Sequence, residues 1–545
     1  MPTIETTLPS ATELTGRSII GFSRGKSGGA AFRAFDPQTG KTAEPEFTSA
    51  SLDEVDQAVE LAVAAAPEWA KAPGKIRAEF LRAIAAGLEK IADAIIDRAQ
   101  LETGLPQGRF KSELARTCGQ MRLFAEVVEE GSWVAARIDR AEPKRAPQPK
   151  PDIRSMIIPL GPVVVFGASN FPLAFSVGGG DTVSAWASGN PVIVKAHPAH
   201  PGTGELVGRV VADTVRSLRL PEGLFSLLFD SGVAVGQALV KHPDVKAVGF
   251  TGSLAGGRAL MDLAASRPEP IPVFAEMGST NPVFVLPGAL KERGGQIAAG
   301  LYGSITLGGG QFCTKPGIVF LPQSDASQDL ARDVEKRVSE AAPFTLLTSG
   351  IHKAFVRGLD ERKKSAANLR VTAGNGSSKV DGYRVNPAVI QTDVATFLSE
   401  LELSEELFGP ATLLVSHSNK SQALEAAAKL KGHLTATVHG TEQDFAEYAD
   451  LISLLQTKVG RLVFNGYPTG VEVSHAMVHG GPYPATSDGR STSVGTQAIL
   501  RFARPVCFQD CPDVLLPQEL KDANPLHIWR MVDGEMTRDS TTRPV

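Results

Sequence analysis

The sequence predicts an α/β fold built on doubly wound parallel sheet, and three observations carry that expectation. From Ser155 onward, short apolar runs alternate with amphipathic stretches at the spacing of βαβ units. The runs Val163-Val164-Val165-Phe166, Pro191-Val192-Ile193-Val194-Lys195 and Val245 to Phe250 are continuous rather than alternating, as in strands covered on both faces. At 545 residues the chain exceeds one typical core, so two or three domains are expected.

Residues 18–50 read as short strands and turns. Ser51-Leu52-Asp53-Glu54 is a capping box, and behind it Val55, Ala58, Val59, Ala62 and Val63 fall on one helical face. A second helix is expected from Lys75 to Gln100, with Phe80, Ile84, Leu88, Ile91 and Ile95 as its stripe, and a third from Ser112 to Glu130. The Pro- and charge-rich stretch Ala141 to Asp152 reads as a linker or an extended excursion. Beyond Val163, a helix is expected through Val177 to Ser188 and a strand at Leu224 to Leu228. Further strands follow near 282–286, 317–321, 412–416 and 461–464, with helices around 327–340 and 352–361. The tail after Val514 is polar and proline-spaced and reads as surface structure.

Net charge is −4, so no basic field points to nucleic acid. The most apolar window, Met156 to Phe175, is interrupted by Pro159, Pro162, Asn170 and Pro172, which argues against a membrane span. Met1 to Arg17 has no basic region followed by an apolar run, so no signal peptide is expected. Four cysteines, Cys118, Cys313, Cys507 and Cys511, form no disulfide framework and suit a reducing cytosol. Cys507 and Cys511 lack a second ligand pair, so no metal site is expected.

Three stretches carry chemistry. Gly308-Gly309-Gly310-Gln311-Phe312-Cys313-Thr314-Lys315-Pro316 sets a cysteine behind three glycines that permit close backbone approach. Cys313 is either a nucleophile beside oxyanion-stabilising N–H groups or a buried cysteine in a glycine-rich turn. Asn170, at the C-terminal end of the strand 163–166, is either an oxyanion donor or a turn cap. Glu276, just after an apolar run, is either a desolvated general base or a surface acid. No Gly-x-Gly-x-x-Gly fingerprint follows the first strand.

Taken in order, Asn170, Lys195, Gly252-Ser253, Glu276, Cys313 and the Glu406/Phe408 pair resemble the aldehyde dehydrogenase superfamily over about Phe32 to Gly495. The resemblance implies that Cys313 attacks an aldehyde as a thiolate and that Asn170 and the Cys313 N–H hold the oxyanion. It implies that Glu276 activates water against the resulting thioester, and that Glu406 and Phe408 meet the nicotinamide side of an NADP or NAD cofactor. Lys195 and His197, with Pro198, would meet the adenine-side ribose and Ser253 the pyrophosphate. Phe166, Ala168, Gly232, Gly236, Thr251, Gly252, Met277 and Gly278 would complete the cofactor site. CoA-acylating members usually lack a base at the Glu276 position, which argues against that chemistry. The implied architecture is a Rossmann-type cofactor domain (1–140 and 160–285) and an α/β catalytic domain (286–490). A small β extension (141–159 and 491–545) would pair protomers into a homodimer or homotetramer.

Two departures from the superfamily stand out. Pro198 occupies a position where many NAD-using members carry a ribose-binding glutamate, which removes repulsion against a 2′-phosphate and lets Lys195 and His197 attract it. Ser279-Thr280-Asn281 replaces a more usual Gly-Lys ending and is expected to leave catalysis untouched. Phe32 to Pro37, the Lys-x-His-Pro-x-His-Pro turn at 195–201 and Asn524 to Arg530 resemble the branch acting on α-ketoglutaric semialdehyde. An NADP-dependent fatty aldehyde branch shares the histidine-rich turn. Arg116 is expected either to pair with Glu113, three residues back, or to fork onto a substrate carboxylate. Asn170, Phe171, Phe312, Thr469 and His475 are expected to complete the substrate pocket.

Overall fold

The computed structural model describes residues 12–26, 28–365, 368–376 and 382–541. The expectation for the N-terminus therefore falls partly, at residues 1–11, outside the described residues.

Strand Val163–Phe166 lies in the middle of a seven-stranded sheet, with Ala247–Thr251 and Val273–Glu276 on one side and Val192–Lys195 and Phe225–Leu228 on the other. These five run parallel, and the short strands Ile19–Ile20 and Ser23–Arg24 add antiparallel at the edge. Strand order reverses between Val163–Phe166 and Ala247–Thr251, so a crevice opens beyond the carboxyl ends of those two strands. The first helix, Leu52–Ala70, has the expected capping box and lays Val55, Ala58, Val59 and Ala62 on one sheet face against Ile20, Val164, Ile193 and Leu228. Each large side chain so buried contributes about 1.5–3 kcal/mol. Val63 is exposed, and the face closes instead with Ala65 and Trp69, whose indole N–H donates to the Trp186 carbonyl at 3.1 Å.

The single helix expected from Lys75 to Gln100 is two, Gly74–Lys90 and Ala92–Thr103, broken at Ile91 (φ −113°, ψ 25°). The apolar stripe runs through the break, with Phe80, Ile84, Leu88 and Ile95 all buried, so the periodicity conceals it. The helix expected from Ser112 starts earlier and spans Gln107–Glu130. The helix Gly180–Ser188 is buried on every side rather than amphipathic.

A second seven-stranded sheet has the order Arg370–Ala373, Ala388–Asp393, Ala411–His417, Ile318–Pro322, Val283–Val285, His433–His439, Val459–Phe464. Only Arg370–Ala373 runs antiparallel. Helix Pro287–Thr306 crosses from Val283–Val285 and delivers the chain into the turn Leu307–Gly310. There Gly308, Gly309 and Gly310 take φ of 59°, 67° and 68°, a region that excludes most side chains. A Cβ on Gly310 would lie 2.2 Å from the Gly409 carbonyl oxygen, so glycine lets this loop press against the loop bearing Glu406 and Phe408.

The third sheet has five strands: Ala503–Gln509, Ile153–Pro159, Arg137–Asp139, Arg530–Val532 and Glu535–Thr537. The tail after Val514 is thus more than surface structure. It supplies two strands, and Leu520, Ile528 and Arg530 are buried. Among the described residues no helix is long and apolar enough to cross a membrane.

Candidate active site

The crevice at the strand-order reversal is a cleft of about 760 Å³. Residues 167–171 line it just past Val163–Phe166, and 250–253 close Ala247–Thr251. Edge strand Val273–Glu276 adds Glu276, Met277 and Gly278, because Thr251 and Glu276 are paired across the ladder. From the second sheet come Cys313 and residues 405–408, and from the loop beyond Val459–Phe464 comes His479. The cleft therefore gathers Ala168, Asn170, Phe171, His197, Thr251, Gly252, Ser253, Glu276, Met277, Gly278, Cys313, Glu406 and Phe408.

Cys313 is half-buried, and its thiol is pushed up to about 12, first by burial and then by the negative charges of Glu276 and Glu406. Arg116 and Arg461 oppose that shift. The thiol therefore needs a base to become a thiolate near neutral pH. Among the described residues the titratable group in contact with it is His479, whose Nε2 lies 3.5 Å from Sγ. Burial, with Arg461, Arg116 and Arg501 nearby, drives His479 down to about 3, so its imidazole is neutral and can accept a hydrogen bond from the thiol, but it is too weak a base to hold the thiol's proton. The loop 467–480 pointed to His475 as the histidine of the pocket. His475 is exposed, and His479, four residues on, holds the position. The other cysteines lie outside the cleft lining: Cys118 is fully buried with its thiol pushed up to about 11, Cys507 is exposed and Cys511 is half-buried.

The Cys313 loop is tied from behind by Asn281. Its side-chain N–H groups donate to the carbonyls of Cys313 at 2.8 Å, Lys315 at 3.0 Å and Ser279 at 3.2 Å, while Thr435 donates to its Oδ1 at 3.0 Å. Asn281 has φ of 46° and is fully buried. The stretch Ser279-Thr280-Asn281, expected to leave catalysis untouched, thus ties down the backbone of the Cys313 loop. Asn170 spends one N–H on the Gln311 carbonyl at 3.0 Å, which leaves its second available to an oxyanion. Phe171 and Phe312 meet edge to face at 5.2 Å, and the Arg109 guanidinium lies 4.6 and 4.8 Å from their ring centres.

Glu276 is raised to about 7, mainly by burial and further by Asp181, with Arg501 pulling the other way. Arg501 bonds its carboxylate directly. Neither Arg501 nor Asp181 stood out in the sequence, because each lies in a run with no motif around it. Glu406 is raised by burial and opposed by Lys315, which is itself lowered by burial. A Cβ on Gly278 would come within 2.4 Å of Glu406 Oε2, so glycine leaves that carboxylate room where it lies.

Phe166, Lys195, Pro198, Gly232 and Gly236 sit outside the cleft lining, whereas His197 and Ser253 lie in it. Lys195 is buried and donates to the Asp230 carbonyl at 3.0 Å. Phe166 packs on Phe250, and a Cβ on Gly236 would strike its ring at 2.8 Å, so Phe166 and Gly236 pack against each other. Gly232 donates to Asp230 Oδ1 at 2.8 Å. Ser253 caps the helix Leu254–Ala265, accepting from Gly256 N at 3.2 Å. His197 stacks on His200 at 5.3 Å and is lowered well below its usual range by burial, then by His200 and Lys195. It is neutral, so any attraction for a phosphate rests on Lys195, with His197 as an N–H donor at most.

Arg116 is not Glu113's ion-pair partner. Glu113 accepts from the backbone N–H groups of Leu173 at 2.9 Å and Ala174 at 3.0 Å, and its ion pair, at 3.7 Å, is with Arg109. Arg116 donates only its Nε, to the Val471 carbonyl at 3.1 Å, and lies over Phe175 at 5.1 Å. Its two terminal nitrogens are buried with no partner. Thr469 is taken up by a hydroxyl–hydroxyl contact with Ser304. Among the described residues no cluster of three or more His, Cys, Asp or Glu side chains suits a metal.

Comparison with known proteins agrees with this geometry. The model of the aldehyde dehydrogenase family matches residues 23–499. The chain is 47% identical to alpha-ketoglutaric semialdehyde dehydrogenase 2 of Azospirillum brasilense, covering 96% of this chain and 99% of the relative. It is 45% identical to alpha-ketoglutaric semialdehyde dehydrogenase of Acinetobacter baylyi, covering 90% and 93%. In fold it is similar to betaine aldehyde dehydrogenase of Staphylococcus aureus (TM-score 0.77, 18% identity, 93% and 97% covered). The likeness extends to a Thermus 1-pyrroline-5-carboxylate dehydrogenase with bound NAD (TM-score 0.75, 21% identity, 90% and 92% covered). On the match across most of its length, and on relatives near half identical to it, the chain belongs to the aldehyde dehydrogenase family.

Proposed function

We propose that the protein oxidises α-ketoglutaric semialdehyde to 2-oxoglutarate, using NADP+ or NAD+. The observation that carries the substrate assignment is Arg116, whose buried terminal nitrogens have no protein partner. An unpartnered buried guanidinium is costly, and a carboxylate satisfies it with two parallel hydrogen bonds. Two relatives near half identical bear the name of that semialdehyde dehydrogenase. A long uncharged aldehyde would leave Arg116 without its counter-charge, which disfavours a fatty substrate.

In this reading the Cys313 proton leaves through the cleft to solvent, with His479 accepting only a hydrogen bond from the thiol, and the sulfur adds to the aldehyde carbon. Asn170 Nδ2 and the Cys313 N–H face the oxygen that becomes negative. A nicotinamide cofactor held by Gly252, Ser253 and Glu406 would supply the acceptor for the hydride lost from that carbon. Glu276 then takes a proton from the water that cleaves the acyl–sulfur bond, and the thiol is restored.

The residues present fit a dinucleotide. Helix Leu254–Ala265 starts at the strand-order reversal with Gly252 and Ser253 in the cleft, and Gly278 makes room for Glu406. Pro198 places no acid beside Lys195, so we assign NADP+ at least equal use. We further assign a homodimer or homotetramer in the cytosol, its protomers joined through the five-stranded sheet. Exposed Val514, Leu515 and Met536 in that C-terminal region support pairing. Turnover of short dicarboxylic semialdehydes against medium-chain aldehydes, with both cofactors, tests the assignment. A preference for the medium-chain aldehydes would overturn it.

A further inference from the structure

Glu276 shares its cation. Arg501, in the segment Thr496–Phe502, donates Nη2 to Glu276 Oε1 and Nη1 to Asp181 Oδ1, the latter at 2.9 Å. The three side chains are 1%, 3% and 8% exposed for Arg501, Glu276 and Asp181, so solvent screens none of them. Asp181 sits in the first turn of the buried helix Gly180–Ser188 and cannot swing away. A Cβ on Gly249, in the neighbouring strand, would come within 2.9 Å of Asp181 Oδ2, so a glycine there admits the carboxylate. Glu276 Oε2, in contrast, has no partner, and Glu276 lines the cleft. One guanidinium thus serves two acids, one walled in and one at the reaction space.

We propose that Asp181 is a positioning residue for the reaction: by occupying half of Arg501 it leaves Glu276 loosely enough held to act as base on the water that hydrolyses the acyl-cysteine. The proposal rests on the reading of Glu276 as that base. Burial raises Asp181 while Arg501 holds it down, and with Asp181 ionised the Arg501–Asp181 pair is neutral and Glu276 is the extra charge. With Asp181 removed, Arg501 would grip Glu276 as its sole partner and weaken it as a base. The other charged or titratable groups facing this cluster are Cys313 beside Glu276, and His479 and Asp488 beside Arg501. Asp488 has its own partner in Arg490, and His479 is neutral, so neither replaces Asp181.

The test uses the full chain and p-nitrophenyl acetate, which needs no cofactor. Cys313 sulfur displaces nitrophenolate from the acetyl carbon, and water then releases acetate and restores the thiol, so the deacylation rate reports the base alone. Asp181→Asn should move the acid limb of that rate down by about one pH unit. It should slow the plateau several-fold, with acylation of Cys313 preserved. The pair Asp181→Asn with Arg501→Met removes both charges and serves where the single variant fails to fold. Its limb should move up instead, because Glu276 keeps its burial and loses its cation. A limb unmoved by Asp181→Asn, or moved the same way in both variants, overturns the proposal. Glu276→Gln separates the two levels. If it leaves deacylation unchanged, the base assignment fails and takes the proposal with it. If it removes the limb while Asp181→Asn leaves the limb in place, only the role of Asp181 falls.

Discussion

The Nε2 atom of His479 lies 3.5 Å from the sulfur of Cys313, inside a pocket where burial keeps the imidazole neutral and the thiol protonated. The imidazole can accept a hydrogen bond from the thiol but is too weak a base to take its proton, and Glu276, raised to about 7 and bound to Arg501, is the stronger base of the cleft. His479→Phe should leave alkylation of Cys313 by iodoacetamide at neutral pH within about 10-fold of wild type, because an imidazole lowered this far carries almost none of the thiol's proton. A slowing of about 10²-fold would make His479 the base.

Glu276 is raised to about 7 by burial, and a base must be ionised to work. The rate of thioester hydrolysis should therefore rise as pH increases through about 7 and fall away below it. Glu276→Gln should abolish that limb and leave turnover arrested after one round of reduced-cofactor release. Steady-state turnover equal to wild type would remove Glu276 from the mechanism.

Asn281 holds the carbonyls of Cys313 and Lys315. Asn281→Ala would strand those buried carbonyls and place alanine at a φ of 46°. A loss of about 2–4 kcal/mol in urea unfolding is expected. A shift below about 0.5 kcal/mol would show that neighbouring groups take over the clamp.

Pro198 leaves Lys195 without a neighbouring acid in the turn. NADP+ should be used at least as well as NAD+, and Pro198→Glu should cut NADP+ use by about 10²-fold while sparing NAD+. A wild-type preference for NAD+ of about 10-fold, equivalent to about 1.4 kcal/mol, would contradict the assignment.

The sequence showed the strands of the first sheet well because fully buried parallel strands read as unbroken apolar runs. It hid Ala388–Asp393 and His433–His439, whose threonines, glutamine and histidines are polar by type yet lie largely buried in the second sheet. It hid the break at Ile91, which interrupts the backbone without interrupting the stripe. Cys313, Glu276 and Asn170 were legible because each ends or follows a recognisable stretch. Arg501, Asp181, Arg109 and His479 were not, because their meaning comes from distant partners: Arg501 is 320 residues from Asp181 and 225 from Glu276, Arg109 is 61 from Asn170, and His479 is 166 from Cys313. Asn281 was legible only as a departure, and the clamp it forms depends on a loop it cannot be seen to touch from sequence.

The most direct test of the account is the specificity of Arg116→Met, measured as kcat/KM on α-ketoglutaric semialdehyde and on an uncharged aldehyde of similar length. Loss of two charge-assisted hydrogen bonds, about 3 kcal/mol, should lower kcat/KM for the semialdehyde by about 10²-fold, chiefly through KM. The uncharged aldehyde should be spared or improved, because burying Arg116 unpaired costs the wild type when no carboxylate is present. Equal losses on both substrates would make Arg116 a structural residue and contradict carboxylate recognition.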